Sequence, residues 1–341
     1  MPKLLALCGS LTNSDIENGG AFKGGSGAAL KQYFSRVGLP VDECQFAAIF
    51  PFRIEAGSFK AGDPRNLCGP RGTSYFELPP FAKGKYLQYI HAKHIERLVT
   101  LVELTRPNLI LGFGDVASWV LLDDSKISTT RGMVAWSDRF NCKVLCTNTH
   151  SAVIGQGNML PVLLRDLSKA AREMQSPTIT RPRRLIYIEP TIADLYSFEE
   201  QFINATDEIS IDIETIGEQI TMMSFAPDPH NCLVVPFYDN TKADANYWPD
   251  LKTELAAWEW VRKICGLKKS VFVGQNFGYD MMFTLTNYGI TFPSANHDTM
   301  LLHHAMQPEL KKGLGFLASI YTDELSWKFM RPKHTAADED A

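Results

Sequence analysis

Short apolar runs alternate with helically spaced apolar residues along the first half of the chain. Such runs predict buried strands, and apolar residues three or four positions apart predict amphipathic helices. The predicted strands cover residues 3–8, 45–50, 108–112 and 142–148. The predicted helices cover residues 27–37, 91–105, 115–122 and 159–174. Because strands alternate with helices, we predict an α/β domain with a parallel sheet over residues 1–174.

The second half of the chain has a different order of elements. Its predicted strands cover residues 208–213, 220–225, 232–236 and 270–274, and its predicted helices cover residues 251–265 and 277–288. Three strands, a crossover helix and a further strand predict a mixed sheet flanked by helices over residues 185–341. Residues 175–184 combine two prolines and three arginines with few apolar residues, which is typical of a linker.

Length and charge support this division into two domains. The chain has 341 residues, of which 45% are hydrophobic and 21% are charged, enough for two separate cores. Its net charge of −4 combines a basic half, +8 over residues 1–184, with an acidic half, −12 over residues 185–341. No apolar stretch is long enough to cross a membrane. The seven cysteines are odd in number and form no CxxC pair, which disfavours a disulfide framework and favours a reducing cytoplasm.

The second half carries closely spaced carboxylates that indicate metal chemistry. Asp212 and Glu214 alternate with isoleucines on a predicted strand, so both side chains are expected on one face. Two like charges at this spacing are costly unless a cation lies between them. Asn276 and Asp280 fall four residues apart at the start of a predicted helix, on one helix face.

In combination, these residues predict a nuclease site that depends on a divalent metal, Mg²⁺ or Mn²⁺. Three carboxylates from a strand and a following helix can bind a pair of ions roughly 4 Å apart, an arrangement suited to in-line hydrolysis of a phosphodiester. An Asp-x-Glu pair alone occurs by chance in most proteins. The prediction therefore depends on the order and the combination of the two motifs.

These motifs resemble the proofreading 3′–5′ exonuclease domain of family A DNA polymerases, which has an RNase H-like fold. Asp212 and Glu214 match the first exonuclease motif, and Asn276 and Asp280 match the second. Further matches are residues 297–301 and 314–321. The resemblance implies that the three carboxylates bind the metals and are catalytic. It also implies that Asn276 positions the substrate and that Asp298 caps a helix.

The third motif of that family, Tyr-x-x-x-Asp on a late helix, has no counterpart after Asp298. His334 and Asp338 have the same spacing, with His in place of Tyr, but they lie in a charged tail without the apolar positions that would dock a helix. A solvated terminus is therefore the preferred interpretation. We expect a chain that stops before the third motif, as a fragment or split product of a longer phage-type polymerase, without the polymerase domain.

A glycine-rich loop follows the first predicted strand and leads into the first predicted helix. Glycines at such a junction allow close backbone approach and leave helix N–H groups for a phosphate. The loop has neither Gly-Lys-Ser/Thr nor Gly-x-Gly-x-x-Gly, so nucleoside triphosphate and dinucleotide binding are weakly supported. A loop that is merely rich in turns is the alternative.

Four segments of the first half resemble motifs of the uracil-DNA glycosylase superfamily, closest to its family 4. They are residues 19–30, 106–117, 131–132 and 149–151. The resemblance implies an α/β/α sandwich with a parallel sheet, in which Phe22 stacks on an extruded base and His150 also binds the substrate.

Polar partners of that glycosylase family are missing from the first half. Gly9 stands at the position of the activating acid, Ala48 at that of the base-reading Asn, and Ser151 replaces the Pro that follows the His. Asp15 could replace the acid only if the loop shifts. The four-cysteine pattern is absent as well, so no iron–sulfur cluster is expected. A DNA-binding or base-sensing module is therefore preferred to an active glycosylase.

We thus predict a two-domain DNA enzyme that removes nucleotides from single-stranded 3′ ends, with a polymerase domain or subunit as a further partner and no membrane association. The expected location is the cytoplasm, that of the host if the chain is encoded by a phage. Two alternatives remain, a non-catalytic polymerase-accessory module and a uracil-DNA glycosylase. The basic half, together with Arg181, Arg183 and Arg184, would supply positive charge for a DNA backbone.

Overall fold

The computed structural model describes residues 2–75 and 77–324, without the side chain of Thr73. These residues divide into two compact units. Of the described residues, 2–180 and 315–324 form the first unit and 181–314 form the second. Among them, no helix is both long enough and apolar enough to cross a membrane.

A five-stranded sheet in the order β2-β1-β5-β7-β6 forms the centre of the first unit. Its strands, together with the separate pair β3 and β4, are β1 (Leu4–Ser10), β2 (Cys44–Phe50), β3 (Cys68–Gly69), β4 (Tyr86–Leu87), β5 (Leu109–Phe113), β6 (Val134–Ser137) and β7 (Cys142–Thr147). Strands β2, β1, β5 and β7 are parallel, which confirms the predicted parallel sheet. The edge strand β6 is antiparallel and was not predicted, because four residues are too few to show a period.

Helices cover both faces of this sheet. The helices of the first unit up to residue 180 are α1 (Asn13–Glu17), α2 (Gly25–Arg36), α3 (Ala92–Thr105), α4 (Asp115–Leu122), α5 (Ile127–Thr130), α6 (His150–Gly155) and α7 (Leu160–Glu173). Leu5 and Leu7 of β1 join a core with α3 and α4. Leu4 and Ala6 of the same strand join a second core with α2 and α7. Burial on both faces explains why the strand is apolar throughout instead of alternating.

The second unit has a mixed six-stranded sheet in the order β13-β12-β9-β10-β11-β8. Its strands are β8 (Leu185–Tyr187), β9 (Glu208–Ile216), β10 (Gln219–Ala226), β11 (Asn231–Pro236), β12 (Val271–Gly274) and β13 (Asn296–Asp298). Its helices are α8 (Ile192–Gln201), α9 (Leu251–Cys265), α10 (Phe277–Tyr288) and α11 (Thr299–Met306). Strands β9, β10 and β11 are antiparallel, whereas β12 is parallel to β9 and β13 is parallel to β12. The predicted mixed sheet is confirmed.

The two faces of this sheet differ in burial. Ile209, Ile211 and Ile213 of β9 are buried in one core with residues of α8, α9 and α10. Asp212 and Glu214, on the other face of the same strand, are exposed. The alternation of isoleucine with polar residues therefore sets the orientation of the strand, as the sequence indicated.

Residues 315–324, with most of helix α12 (Leu314–Tyr321), belong to the first unit. The sequence had assigned them to the second domain. Lys169 is buried, and its Nζ donates to the carbonyl oxygen of Thr322 (2.8 Å). Arg131, also buried, donates to the hydroxyl of Ser319. These contacts with distant polar side chains hold the segment on the first unit, and no local sequence pattern encodes them.

Most of the predicted linker is also part of the first unit. The side chain of Lys143 is buried, and its Nζ donates to the carbonyl oxygens of Ser176 (2.7 Å) and Thr178 (3.1 Å). The same amine pairs with Glu173 at 2.8 Å. The two units therefore divide between residues 180 and 181, within the predicted linker of residues 175–184.

Candidate functional site

Three neighbouring parallel strands of the second unit, β9, β12 and β13, end at one edge of the sheet. Asp212 is the middle residue of β9 and Glu214 follows it by two. Asn276 follows β12 by two residues, and Asp298 is the last residue of β13. Parallel neighbours present their carboxyl ends on the same side, which is where ligands bind in open α/β sheets. The strand order therefore brings the predicted site residues of β9 to the edge at which α10 begins.

Asp280 of α10 contacts β9 between the two strand carboxylates. Strand β12 pairs with β9 only at residues 208–210 and ends at Gly274, so the later N–H groups of β9 on that side need another acceptor. The N–H of Ile213 donates to Oδ1 of Asp280 at 3.0 Å. Asp280 is only 4% exposed, whereas the flanking Asp212 and Glu214 are exposed. One buried carboxylate thus lies against the strand that carries the other two.

The electrostatic environment of Asp280 is unfavourable to its charged form. Its pKa is raised to about 6, chiefly by burial and then by the neighbouring Asp212 carboxylate, against the opposing effect of the Ile213 hydrogen bond. A cation next to both carboxylates would remove this penalty. Oxygen donors of this kind fit a hard divalent ion such as Mg²⁺ or Mn²⁺.

A complete metal centre is not assembled by these side chains. Among residues 2–75 and 77–324, no group of three or more His, Cys, Asp or Glu side chains is arranged to hold a metal ion. Asp212 and Asp280 interact electrostatically, but Glu214 does not complete a group of three with them. The metal role of the three carboxylates stays a prediction. His334 and Asp338 lie outside the described residues.

Asp298 caps two helices at once. Its carboxylate accepts from the N–H groups of Asn276 (3.0 Å) and Phe277 (2.9 Å) at the start of α10, and from that of Met300 (2.8 Å) in α11. The predicted capping role is confirmed. Asn276 itself is in the left-handed region, at φ +58°, and its exposed side chain does not cap the helix. Its substrate-positioning role stays a prediction.

A hydroxyl pair beside these carboxylates was not predicted. The hydroxyl of Tyr279 lies 3.0 Å from Oγ1 of Thr215, at the end of β9, and the side chain of Tyr279 is half exposed. The only sequence signal was that each residue directly neighbours a carboxylate of the two motifs. The sequence prediction was limited to carboxylate and amide side chains, so it did not include these two hydroxyls.

The first unit has a cavity of about 920 Å³ at the carboxyl ends of β1 and β5. Strand β1 lies between β2, which follows it through α2, and β5, which comes much later in the chain. Such a change of direction in the strand order opens a crevice at the sheet edge. Phe22 and His150 both line the cavity, so the structure brings the two predicted substrate-binding residues of this unit together.

The position of Phe22 depends on packing against two aromatic rings and on a glycine that leaves room for its backbone. Its ring packs against Phe46 at 5.3 Å and Phe113 at 5.6 Å between centroids. Its backbone is in the left-handed region, at φ +59°. A Cβ at Gly27 would overlap the backbone of Phe22, so only glycine allows the loop to approach the first turn of α2 this closely.

Asp15 has a structural role in the loop. Its carboxylate accepts from the N–H and the hydroxyl of Thr12 (3.1 and 2.6 Å) and from the N–H of Gly24 (3.1 Å). Burial by itself would raise the pKa of Asp15, but these hydrogen bonds outweigh it and hold the pKa below its usual value. Both oxygens are therefore engaged within the loop, which does not support Asp15 as a replacement for the activating acid.

Arg53 and Lys60 also line the cavity and were missed in the sequence. They lie in the stretch 51–84, whose prolines and glycines indicated irregular structure without a motif. Nothing but their positive charge could have singled them out. Their place at the cavity depends on how this long loop folds back over the sheet edge.

Comparisons with known proteins give weak similarities only. No family model matches the chain, and no curated protein matches it. Among solved structures, Brucella melitensis NrnC with bound Mg²⁺ has 14% identity and a TM-score of 0.28, over 47% of this chain and 72% of that one. Escherichia coli RNase D, described as an exoribonuclease involved in structured RNA processing, has 14% identity and a TM-score of 0.31. The match covers 46% of this chain and 40% of the RNase D chain. The Aedes aegypti Nibbler EXO domain has 10% identity and a TM-score of 0.32, and the match covers 46% of this chain and 82% of the Nibbler domain. At these values, the similarities assign no activity to this chain.

Proposed function

We propose that the second unit is a phosphodiester hydrolase that depends on a divalent metal, and specifically a 3′–5′ exonuclease acting on single-stranded DNA as part of, or together with, a family A DNA polymerase. One observation carries the proposal. The buried carboxylate of Asp280 is hydrogen-bonded to the N–H of Ile213, between the exposed Asp212 and Glu214 on the adjacent strand. A structural role alone would not require a buried carboxylate against a strand that carries two exposed ones.

Each residue has a distinct part in the proposed reaction. Asp212 and Asp280 would hold the metal, and Glu214, on the same face of β9 as Asp212, would complete its ligands when substrate is present. A bound divalent ion supplies activation of the attacking water and stabilisation of the leaving 3′ oxygen. The exposed side-chain amide of Asn276, at the start of α10, would hydrogen-bond the terminal nucleotide and orient its phosphate.

The experiment is a nuclease assay on the full chain with a single-stranded DNA labelled at its 5′ end, in Mg²⁺ or Mn²⁺. We expect a ladder that shortens from the 3′ end and that is abolished by EDTA. Asp212→Ala should reduce the rate by at least about 100-fold, as expected when a metal ligand is lost. An RNA strand of the same sequence tests the preference for DNA.

Glu208→Ala is the matched control for Asp212→Ala. Glu208 is an exposed carboxylate on the same face of β9, at the far end of the strand, and should leave the rate unchanged. If DNA binds but stays intact with both metals, the accessory-module alternative replaces the exonuclease.

For the first unit, we propose a second function, recognition of a nucleobase without glycosylase chemistry. The supporting observation is that Phe22 and His150 line one cavity whereas Asp15 is engaged by its own loop. Uracil-containing DNA should therefore gain no alkali-labile sites on incubation with the protein. Alkali-labile sites that disappear in His150→Ala would instead support the glycosylase.

A further inference from the structure

In the wall of the first unit's cavity, the negatively charged side chains have hydrogen-bond partners, whereas two positively charged side chains have none among the described residues. Its three carboxylates are hydrogen-bonded within the unit. These bonds join Asp15 to Thr12 and Gly24, Asp63 to Arg65, and Asp115 to the N–H of Ile127. The side chains of Arg53 and Lys60 make no hydrogen bond or ion pair with any residue that the structure describes. Among the described residues, the wall therefore presents two cations without a hydrogen-bonded partner against a single exposed carboxylate, Asp115, which accepts one hydrogen bond. This balance favours an anionic ligand.

The first turn of α2 adds backbone donors to the same wall. Helix α2 has 12 residues and begins at Gly25, whose N–H donates to the hydroxyl of Ser14 at 3.4 Å, and its N-cap residue, Gly24, makes no side-chain cap hydrogen bond. Ser26 and Gly27 line the cavity, and their N–H groups have no acceptor within the described part of the chain. The N-terminus of a helix carries a partial positive charge and binds phosphate through such N–H groups.

A third, independent observation indicates that the ligand also has an aromatic, hydrogen-bonding part. His150 lines the cavity and is 9% exposed, and its buried Nδ1 has no hydrogen-bond partner within the described residues. Phe22 provides an apolar ring in the same wall. Buried polar groups are normally paired, so an unpaired imidazole nitrogen beside the cavity favours a ligand with a hydrogen-bonding group.

We propose that this cavity binds a nucleotide through its 5′-phosphate, with the phosphate at Arg53, Lys60 and the start of α2, and the base at Phe22 and His150. At about 920 Å³, the cavity has room for sugar and phosphate as well as a base. The phosphate is either that of a free nucleoside monophosphate or that at the 5′ end of a strand. The inference builds on the proposed base recognition and is independent of the nuclease proposal.

The test is calorimetric titration of the full chain with dTMP, dAMP and the corresponding nucleosides. EDTA is present so that the carboxylate site of the second unit cannot contribute through a metal. We expect each 5′-nucleotide to bind at least about tenfold more tightly than its nucleoside, because a charge-assisted phosphate contact is worth at least this factor. Arg53→Glu and Lys60→Glu should each remove the difference.

Arg36→Glu is the matched control, since Arg36 is an exposed cation at the opposite end of α2. It should bind nucleotides as the unaltered chain does. A 5′-phosphorylated oligonucleotide and its 5′-hydroxyl counterpart then distinguish a strand end from a free nucleotide as the source of the phosphate.

Two outcomes would overturn the proposal. Equal affinity for nucleoside and nucleotide would leave base recognition intact but remove the phosphate site. Nucleotide binding that persists in Arg53→Glu and Lys60→Glu would place the ligand elsewhere in the protein. Because all of these measurements are made without metal, neither outcome bears on the exonuclease.

Discussion

At the scale of single residues, the ionised carboxylate of Asp280 lowers the free energy of unfolding by an amount that can be measured. Its pKa rises from 3.8 to about 6 on folding, so the folded state binds this proton more tightly than the unfolded state does. The contribution of protonated Asp280 to the free energy of unfolding is fully present below pH 3.8 and is lost as the pH rises through 6. Above pH 6, the ionised carboxylate opposes folding.

Asp280→Asn should therefore stabilise the metal-free protein at pH 8. Asparagine is neutral and its Oδ1 can still accept from Ile213, so the expected gain in unfolding free energy is up to about 2–3 kcal/mol. The gain should disappear below pH 4. Thermal unfolding in EDTA from pH 3.5 to 8 checks this, with Glu208→Gln as a control that shows no such trend. If Asp280→Asn and the unaltered chain melt at the same temperature at pH 8, the inference that Asp280 is buried and charged is wrong.

Asn276 has a left-handed backbone conformation and an exposed side-chain amide, and two substitutions distinguish the effects of these two features. Asn276→Gly keeps the left-handed conformation, while Asn276→Ala should cost about 1 kcal/mol of stability. Both remove the amide, so both should slow the proposed exonuclease by at least about tenfold. Chemical denaturation and the strand assay measure the two effects. A full rate in Asn276→Gly would show that the amide has no part in catalysis.

The sequence identified residues whose chemistry is local and missed those that depend on the fold. Asp212 and Glu214 were recognised because a strand places alternate residues on one face. The N–H of Ile213 as a partner of Asp280 was not predictable, because it depends on where the pairing of β12 with β9 ends. Arg53 and Lys60 reach the cavity only through a loop without periodicity.

At the scale of elements, the junction between the glycine-rich loop and α2 depends on one glycine. A side chain at Gly27 would overlap the backbone of Phe22, whereas one at Gly25 would meet no atom within 4 Å. Gly27→Ala should therefore destabilise the protein by about 2–4 kcal/mol, through displacement of Phe22. Gly25→Ala, in the same helical turn, should be neutral or slightly stabilising.

Urea denaturation of the two glycine variants measures this difference. The fluorescence of Trp119, buried in the first unit, can report unfolding there. Equal midpoints for Gly27→Ala and Gly25→Ala would contradict the close approach of the loop to the helix. Nucleotide binding should weaken in Gly27→Ala as well, because Phe22 lines the cavity.

Elements with many turns or a clear period were predictable, and short ones were not. Helix α9 and helix α10 have the predicted bounds, 251–265 and 277–288, since apolar residues recur over three or more turns. Helix α6 has six residues and β8 has three, too few for a period. Helix α6 nevertheless carries His150, so the structure was needed to place that residue.

At the scale of the whole molecule, residues 315–324 complete the first unit through a few polar contacts. Lys169 is buried and donates to the carbonyl oxygens of Gly132 and Thr322, both at 2.8 Å. Arg172, which pairs with Asp323 at 3.0 Å, is exposed. A buried donor that satisfies two carbonyls contributes far more to stability than an exposed ion pair.

Lys169→Met should therefore release the segment, with a loss of about 2–3 kcal/mol of stability and faster cleavage by a protease within residues 315–324. Arg172→Met removes the exposed pair and should change stability by less than 1 kcal/mol. Limited proteolysis followed by mass spectrometry locates the cleavage. Equal protection in both variants would show that Lys169 does not hold the segment.

The return of the chain to the first unit has a consequence for the order of folding during synthesis. A ribosome releases residues 2–180 first, but the buried Lys169 and Arg131 then lack their partners in residues 319 and 322. Residues 181–314, continuous along the chain, can fold as soon as they emerge. The first unit is therefore finished only after the second, and a polypeptide that ended at residue 314 would carry a complete second unit attached to an unfinished first one.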